Sequence, residues 1–189
     1  MQKKSDEIIN TIRNDIIEGR LSDKDFLSES ELAEKFGVSK GPVKEAMHIL
    51  CQEGYLIGYP RRGYMVNSYS REDYRQVDQL RSCIEEMCVR SAIERATDEE
   101  LRALKDSLNE KSTERSPLKT NNTKFHLHVA ELSGNKFAVS TLKSLLGITS
   151  IGYITMPTDN ELHEKIVDAM LSRDAERAIH YIKLDIKES

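Results

Sequence analysis

This chain has few cysteines, no extended apolar run and no surplus of positive charge, and each shortage closes off a class of protein. Cys51, Cys83 and Cys88 are odd in number and form no CxxC pair, which argues against a disulfide framework; they read as small apolar fillers. The most apolar stretch, LLGITSIGYITM from Leu145 to Met156, is 12 residues long and holds two glycines and several hydroxyls, whereas a bilayer span takes about 20 apolar residues. No apolar signal core follows the N-terminal MQKKSDEIINTI, so a cytoplasmic location without membrane contact is expected. The formal net charge is −4, and residues 1–69 carry 10 Lys and Arg against 11 Asp and Glu. A nucleic-acid partner must therefore be argued from where the basic residues stand. What is present, 38% hydrophobic and 32% charged residues in 189, is the balance of a soluble chain of one domain or two small ones.

The most informative segment is SESELAEKFGVSKGPVKEAMHILCQEGYLIGYPRRGYMV, from Ser28 to Val66. Ser28 with Glu31 forms a capping box, and Leu32, Ala33 and Phe36 fall at helical spacing before Gly37. Ser39 reads as the N-cap of a second helix with Pro42 in its first turn, extending to about Gln52 and closed by Gly54. Val43, Met47 and Leu50 face a core, while Lys40, Lys44 and His48 recur every four residues along another face. A two-stranded hairpin follows with Arg61 and Arg62 at its tip, placed to reach phosphates or a minor groove. Ahead of this block, Ile8, Ile9, Ile12, Ile16 and Ile17 make an amphipathic helix ending at Gly19, and Arg20–Leu27 reads as a loop.

Residues 8–66 resemble the winged helix-turn-helix DNA-binding domain of the GntR family of bacterial transcriptional regulators. The resemblance implies that the positions of Ser39, Lys40 and Lys44 contact DNA and that Gly63, in the wing with Arg61 and Arg62, meets the minor groove. Lysines stand at 40 and 44 where the family usually has arginine, which keeps the charge but loses the planar fork that grips guanine.

A second domain, residues 70–189 after a first of 1–69, is expected to be helical throughout. SRED at Ser70 is a capping box ahead of an amphipathic helix whose core side would be Tyr74, Val77, Leu80, Ile84, Met87 and Cys88. Thr97 with Glu100 caps the next, to about residue 110; Lys111–Thr120 is a polar loop; Asn121–Leu132 is helical; residues 137–156 are read as helix over strand because no partner strand is evident; Thr158 with Glu161 opens another helix, and a last begins at Asp174. The fold class is thus mainly α: a winged helix-turn-helix followed by an antiparallel helical bundle.

The phrases LRSCIEEMCVRSAIERATDEELRAL, TKFHLHVAELSGN and LHEKIVDAMLSRDAERAI resemble the ligand-binding domain of the FadR branch of that family, the FCD type, here shortened. That resemblance implies a homodimer on a palindromic operator, a small organic acid as effector, and in many members a metal ion that helps bind the carboxylate. The places of the family's metal ligands, Asp, His, His and His, hold Asn122, His126, His163 and Asp185 in this chain. Two imidazoles and one carboxylate suit Zn, Ni or Mn, although an amide oxygen is a poor ligand. Arg81 stands where the branch carries an arginine that can face the effector; its alternative is a surface pair with Glu85, worth about 0.3–0.5 kcal/mol. The reading is a non-enzymatic, effector-controlled DNA-binding regulator. Two alternatives stay open: a metal-dependent hydrolase using His126, His163 and Asp185, and a regulator with a degenerate effector site.

Overall fold

The computed structural model describes residues 4–108, 121–152 and 160–188. In chain order these form α1 (Lys4–Ile17), β1 (Phe26–Leu27), α2 (Glu29–Phe36), α3 (Lys40–Gln52), β2 (Leu56–Tyr59), β3 (Gly63–Val66), α4 (Arg71–Arg95), α5 (Asp98–Ser107), α6 (Asn121–Leu132), α7 (Lys136–Gly152), α8 (Asn160–Leu171) and α9 (Ala175–Glu188). Two compact units result. Residues up to Ser70 make the first, joined by the end of α7 from Gly147 on, and the second is built from the described residues of Arg71–Leu146 with α8 and α9. The sequence pattern alone places one boundary after residue 69, with all of α7 in the second domain, whereas the end of α7 groups with the first unit.

In the first unit, Ile8, Ile12 and Ile16 recur every four residues along α1 and pack with Val43, Met47 and Leu50 of α3, all nearly inaccessible to water. Gly37 takes the left-handed conformation at the end of α2 (φ 61°), and Val38 N–H donates back to the Ala33 carbonyl at 3.0 Å, the bond pattern that stops a helix in a tight turn. The Ser28 hydroxyl accepts from Glu31 N–H at 3.2 Å, but the return bond of the expected capping box does not form. The wing also differs from expectation by one strand. Phe26 and Leu27, read as loop, pair with Met65 and Tyr64, so the sheet has three strands in the order β1-β3-β2. A two-residue strand has too few positions for an alternating pattern to show, and only the neighbouring edge of β3 recruits it.

The second unit packs α4 against α6 and α9, and α8 against α5 and α9. Thr97 and Glu100 form both limbs of their capping box. Of the helix expected over 137–156, the described part is helical, within Lys136–Gly152, with Ala138, Leu142, Leu145 and Leu146 buried at helical spacing, and 153–156 lie outside the described residues. The expected loop at 111–120 and the helix start at Thr158 lie outside the described residues. Arg173, left-handed at φ 55°, turns the chain from α8 into α9; its guanidinium donates to the Ile93 and Ala96 carbonyls at 2.6 and 3.0 Å and pairs with Asp98 at 2.6 Å. One side chain thus satisfies the open carbonyls at the end of α4.

α4 corrects the sequence reading most sharply. Its inward residues include Val77, Arg81, Glu85, Cys88, Val89 and Ala92, whereas Leu80 and Met87, expected in the core, are 55% and 41% exposed. Charge turns inward here because the neighbouring helices offer it partners. Among the described residues no helix is long and apolar enough to cross a membrane.

Candidate functional site

Two sets of sequence-nominated residues can be placed, one in each unit. In the first, α3 buries Val43, Ala46, Met47 and Leu50, which leaves Lys40, Lys44 and His48 exposed along one face together with Gly41 and the acidic Glu45. Ser39 occupies the N-cap with an extended backbone, but its exposed hydroxyl makes no capping bond. That corrects its role as a side-chain cap and leaves both the hydroxyl and the helix N-terminus available to an anion. At the wing tip, Arg62 N–H donates to the Tyr59 carbonyl at 3.0 Å and closes a turn in which Arg61 has φ 63°. A non-glycine residue there costs about 1–2 kcal/mol, so an arginine is kept where glycine would be less strained. Gly63 has a structural reason of its own. At φ 130°, an added Cβ would lie 2.4 Å from the Leu27 carbonyl oxygen and 2.8 Å from the Phe26 ring. Tyr64 then ties the wing to the start of α2, its hydroxyl donating to Glu29 Oε1 at 3.0 Å; burial and the Glu29 carboxylate push the phenol up to about 12.

In the second unit, four helices converge on one polar cluster. Asn122 and His126 share a face of α6 at a spacing of four, α8 contributes His163, α9 contributes Asp185, and α4 contributes Arg81 and Glu85. His126 Nε2 lies 2.9 Å from Asp185 Oδ2 and 3.1 Å from Asn122 Oδ1. His163 Nε2 lies 3.3 Å from Asp185 Oδ1 and 3.0 Å from the same Asn122 oxygen. Phe125 stacks on the His163 ring with centroids 4.1 Å apart. On the far side of His126, Nδ1–H donates to Glu85 Oε2 at 2.5 Å, and Glu85 Oε1 accepts from Arg81 Nε at 3.0 Å. An ionised carboxylate only accepts, so Nδ1 carries a proton, and Nε2 faces the Asp185 and Asn122 oxygens. Arg81, Glu85, His126 and His163 are each 1% exposed.

The Arg81–Glu85 pair, which the alternative reading of Arg81 puts on the surface, is internal, and screening by water does not apply to it. Sequence reasoning saw Glu85 only as a partner for Arg81 and missed its bond to His126. The available signal was two opposite charges one turn apart on a helix side that is otherwise apolar. Nη2 of Arg81 and Nδ1 of His163 are buried and meet no hydrogen-bond partner among the described residues.

These surroundings set the charges. Burial works against an ionised His126, but the Glu85 carboxylate, the Asp185 hydrogen bond and the Glu85 hydrogen bond outweigh it and push the imidazole up to about 9. Burial would raise Asp185, but hydrogen bonds from both histidines hold it well below the usual carboxylate range. Glu85, likewise desolvated, is kept below its ordinary value by His126 and Arg81.

The donor set also suits a divalent ion. One ligand atom each from His126, His163 and Asp185 lies within 4.8 Å of the others, and the four contacts of 2.9–3.3 Å are slightly tighter than the edge of about 3.4 Å of a tetrahedral zinc site. Small outward shifts would make room. The Glu85 bond to His126 Nδ1 is the outer support that metal-bound imidazoles commonly have, whereas Asn122 contributes only a neutral oxygen.

Comparison with known proteins gives a consistent result. Residues 4–66 match the family model of bacterial regulatory proteins of the gntR family, and residues 76–187 match that of the FCD domain. The chain is 26% identical over 189 residues to the uncharacterized HTH-type transcriptional regulator YdhC of Bacillus subtilis (strain 168), covering 97% of this chain and 82% of that one. It is 27% identical over 203 residues to the HTH-type transcriptional repressor RspR of Escherichia coli (strain K12), covering 100% and 89%. Among solved structures, E. coli McbR/YncC shares the fold with a TM-score of 0.75 at 21% identity, over 99% of this chain and 95% of that one.

Proposed function

We propose, from the premise that this chain belongs to the gntR family of bacterial regulatory proteins and carries an FCD domain, that its operator affinity is controlled by a small organic acid bound beside a divalent metal. The chain is a transcriptional regulator of that family and not an enzyme; the relatives it resembles are regulators, so the hydrolase alternative is set aside.

For DNA, the supporting observation is the exposure of Lys40, Lys44, Arg61 and Arg62 on a recognition helix and a wing tip. In this reading Lys40 and Lys44 enter the major groove, Ser39 and the α3 N-terminus hold a phosphate, and Arg61, Arg62 and Gly63 approach the adjacent minor groove. Two copies related by a two-fold axis would occupy successive major grooves of a palindromic operator. A regulator that works on the chromosome acts in the cytoplasm.

For control, one observation carries the reading: three helices, α6, α8 and α9, bring two imidazole nitrogens each within 2.9–3.3 Å of a carboxylate oxygen and an amide oxygen in a buried place. Asn122, His126, His163 and Asp185 would hold Zn, Ni or Mn, which supplies an open coordination position for a carboxylate. Arg81, with Nε on Glu85 and Nη2 without a partner among the described residues, would hold the rest of that anion. Ligand binding changes DNA affinity only by its preference for one arrangement of the protein over another.

The test is a duplex selected by the protein from a random pool, used in mobility-shift titrations of metal-free and zinc-loaded protein against a panel of small carboxylates. A palindromic consensus and a metal-dependent response to one acid are expected. A protein that takes up no metal and whose DNA affinity ignores every acid would instead be a regulator with a degenerate effector site.

A further inference from the structure

We propose that Glu85 is the positioning residue of the candidate metal centre, fixing the His126 ring through Oε2 and passing the position of Arg81 to that ring through Oε1; the inference rests on the metal reading above for its affinity consequences. The two histidines of the cluster are held in different ways. His163 is oriented by packing, its ring stacked on Phe125 at 4.1 Å, and its Nδ1 has no hydrogen-bond partner among the described residues. His126 is oriented by a bond, Nδ1–H to Glu85 at 2.5 Å. An imidazole that turns over about its Cβ–Cγ bond exchanges a nitrogen for a carbon at the donor position, so whatever anchors Nδ1 decides whether Nε2 is presented.

Glu85 meets the requirements of such an anchor. It is 1% exposed on α4, rigidly placed one helical turn from Arg81, and each carboxylate oxygen has its own partner. A carboxylate present only to neutralise Arg81 would not need its second oxygen on the histidine. Asp78, one turn before Arg81, also acts on the pair electrostatically, but the contact to His126 belongs to Glu85. Arg81 thereby acts on the metal site through Glu85, in addition to any contact with an anion.

The experiment compares wild type, Glu85→Gln, Glu85→Ala and His163→Ala by two readouts: imidazole 15N shifts of metal-free protein, and zinc affinity by competition with a chromophoric chelator. In wild type the His126 Nδ1 signal should be that of a protonated, hydrogen-bonded nitrogen. It should be lost in Glu85→Ala and largely kept in Glu85→Gln, whose carbonyl still accepts. Zinc affinity should fall about ten- to hundredfold in Glu85→Ala and recover in part in Glu85→Gln. Arg81→Met should weaken zinc in the wild-type background and add nothing once Glu85 is alanine. An unchanged His126 signal in Glu85→Ala, or wild-type zinc affinity in that variant, overturns the proposal. If wild type binds no zinc, the metal reading fails by itself and the 15N signature alone decides the role of Glu85. Should Glu85→Ala not fold, judged by circular dichroism, Glu85→Gln carries the test: its neutral carbonyl is the weaker acceptor, so the protonated Nδ1 signal should persist but shift and zinc affinity should fall, and a zinc affinity identical to wild type, or an unshifted signal where wild type binds no zinc, overturns the proposal.

Discussion

In the first unit the four basic residues nominated for DNA, Lys40, Lys44, Arg61 and Arg62, stand in solvent. In the second, Arg81, Glu85, His126, His163 and Asp185 are almost dry, and each charge has its counter-charge within 3.3 Å. Both sets are polar, but water solvates the first and the protein itself must solvate the second. Solvated charges on a rigid scaffold cost little to hold and serve a partner that arrives later. Buried charges are tolerated only as a matched set, so each member depends on the others. The first surface should lose function without losing stability when it is mutated, and the second should lose both.

The contrast is most exposed to failure at Arg81. Arg81→Met leaves Glu85 buried beside a single cationic partner and should destabilise the protein by about 3–5 kcal/mol, read by urea denaturation. A loss below about 1 kcal/mol would mean that His126 alone compensates Glu85 and that the set is less tightly matched than its burial implies.

A pH titration sharpens the same point. His126 is raised from the ordinary imidazole value of about 6.5 to about 9 in the fold, so its contribution is fully present below about 6.5 and is lost as pH rises through about 9. Metal-free protein should melt at falling temperatures across that window, while apparent zinc affinity rises because the metal must displace the proton. A flat melting profile in chelator would rule out the imidazolium.

Gly63→Ala tests the one place where the solvent-facing region has no slack. With Leu27 O at 2.4 Å from the new Cβ and φ at 130°, it should cost roughly 1–3 kcal/mol and weaken DNA binding through the displaced wing. An unaltered melting curve would show that β1 gives way freely.

Asn122→Asp should tighten zinc by roughly tenfold by exchanging a neutral oxygen for a carboxylate. No gain in a chelator competition would mean that position 122 does not reach the ion. The smallest expected effect is that of Lys44→Ala: melting unchanged, binding to the selected duplex weakened, and the slope of log affinity against log salt reduced by about one. An unchanged slope would remove Lys44 from the phosphate contacts.

Legibility in the sequence followed the same division. α1, α2 and α3 could be placed because glycine stops, capping residues and apolar residues three or four apart, such as Ile8, Ile12 and Ile16 or Val43, Met47 and Leu50, act within a few residues of one another. Lys40 and Lys44 were legible for the same reason, since a face of a helix is a local property. α4 was not. Its pattern favours burying Leu80 and Met87, yet Arg81 and Glu85 go inside because His126 and Asp185 arrive from helices 41 or more residues away in sequence. β1 was missed because its pairing partner Tyr64 lies far along the chain from Leu27.

By itself the sequence determined a helix-turn-helix with a wing and a following run of amphipathic helices, since these depend on short-range spacing and residue chemistry, while the family resemblance nominated Asn122, His126, His163 and Asp185 as candidate ligands and gave Glu85 no place among them. Tertiary structure alone decided that Asn122, His126, His163 and Asp185 meet, that Glu85 stands behind His126, that Gly63 is held by the Leu27 carbonyl, and which side of α4 is inside. Those are questions of how much a buried charge gains from distant partners compared with what it loses by leaving water, and no local pattern contains that balance.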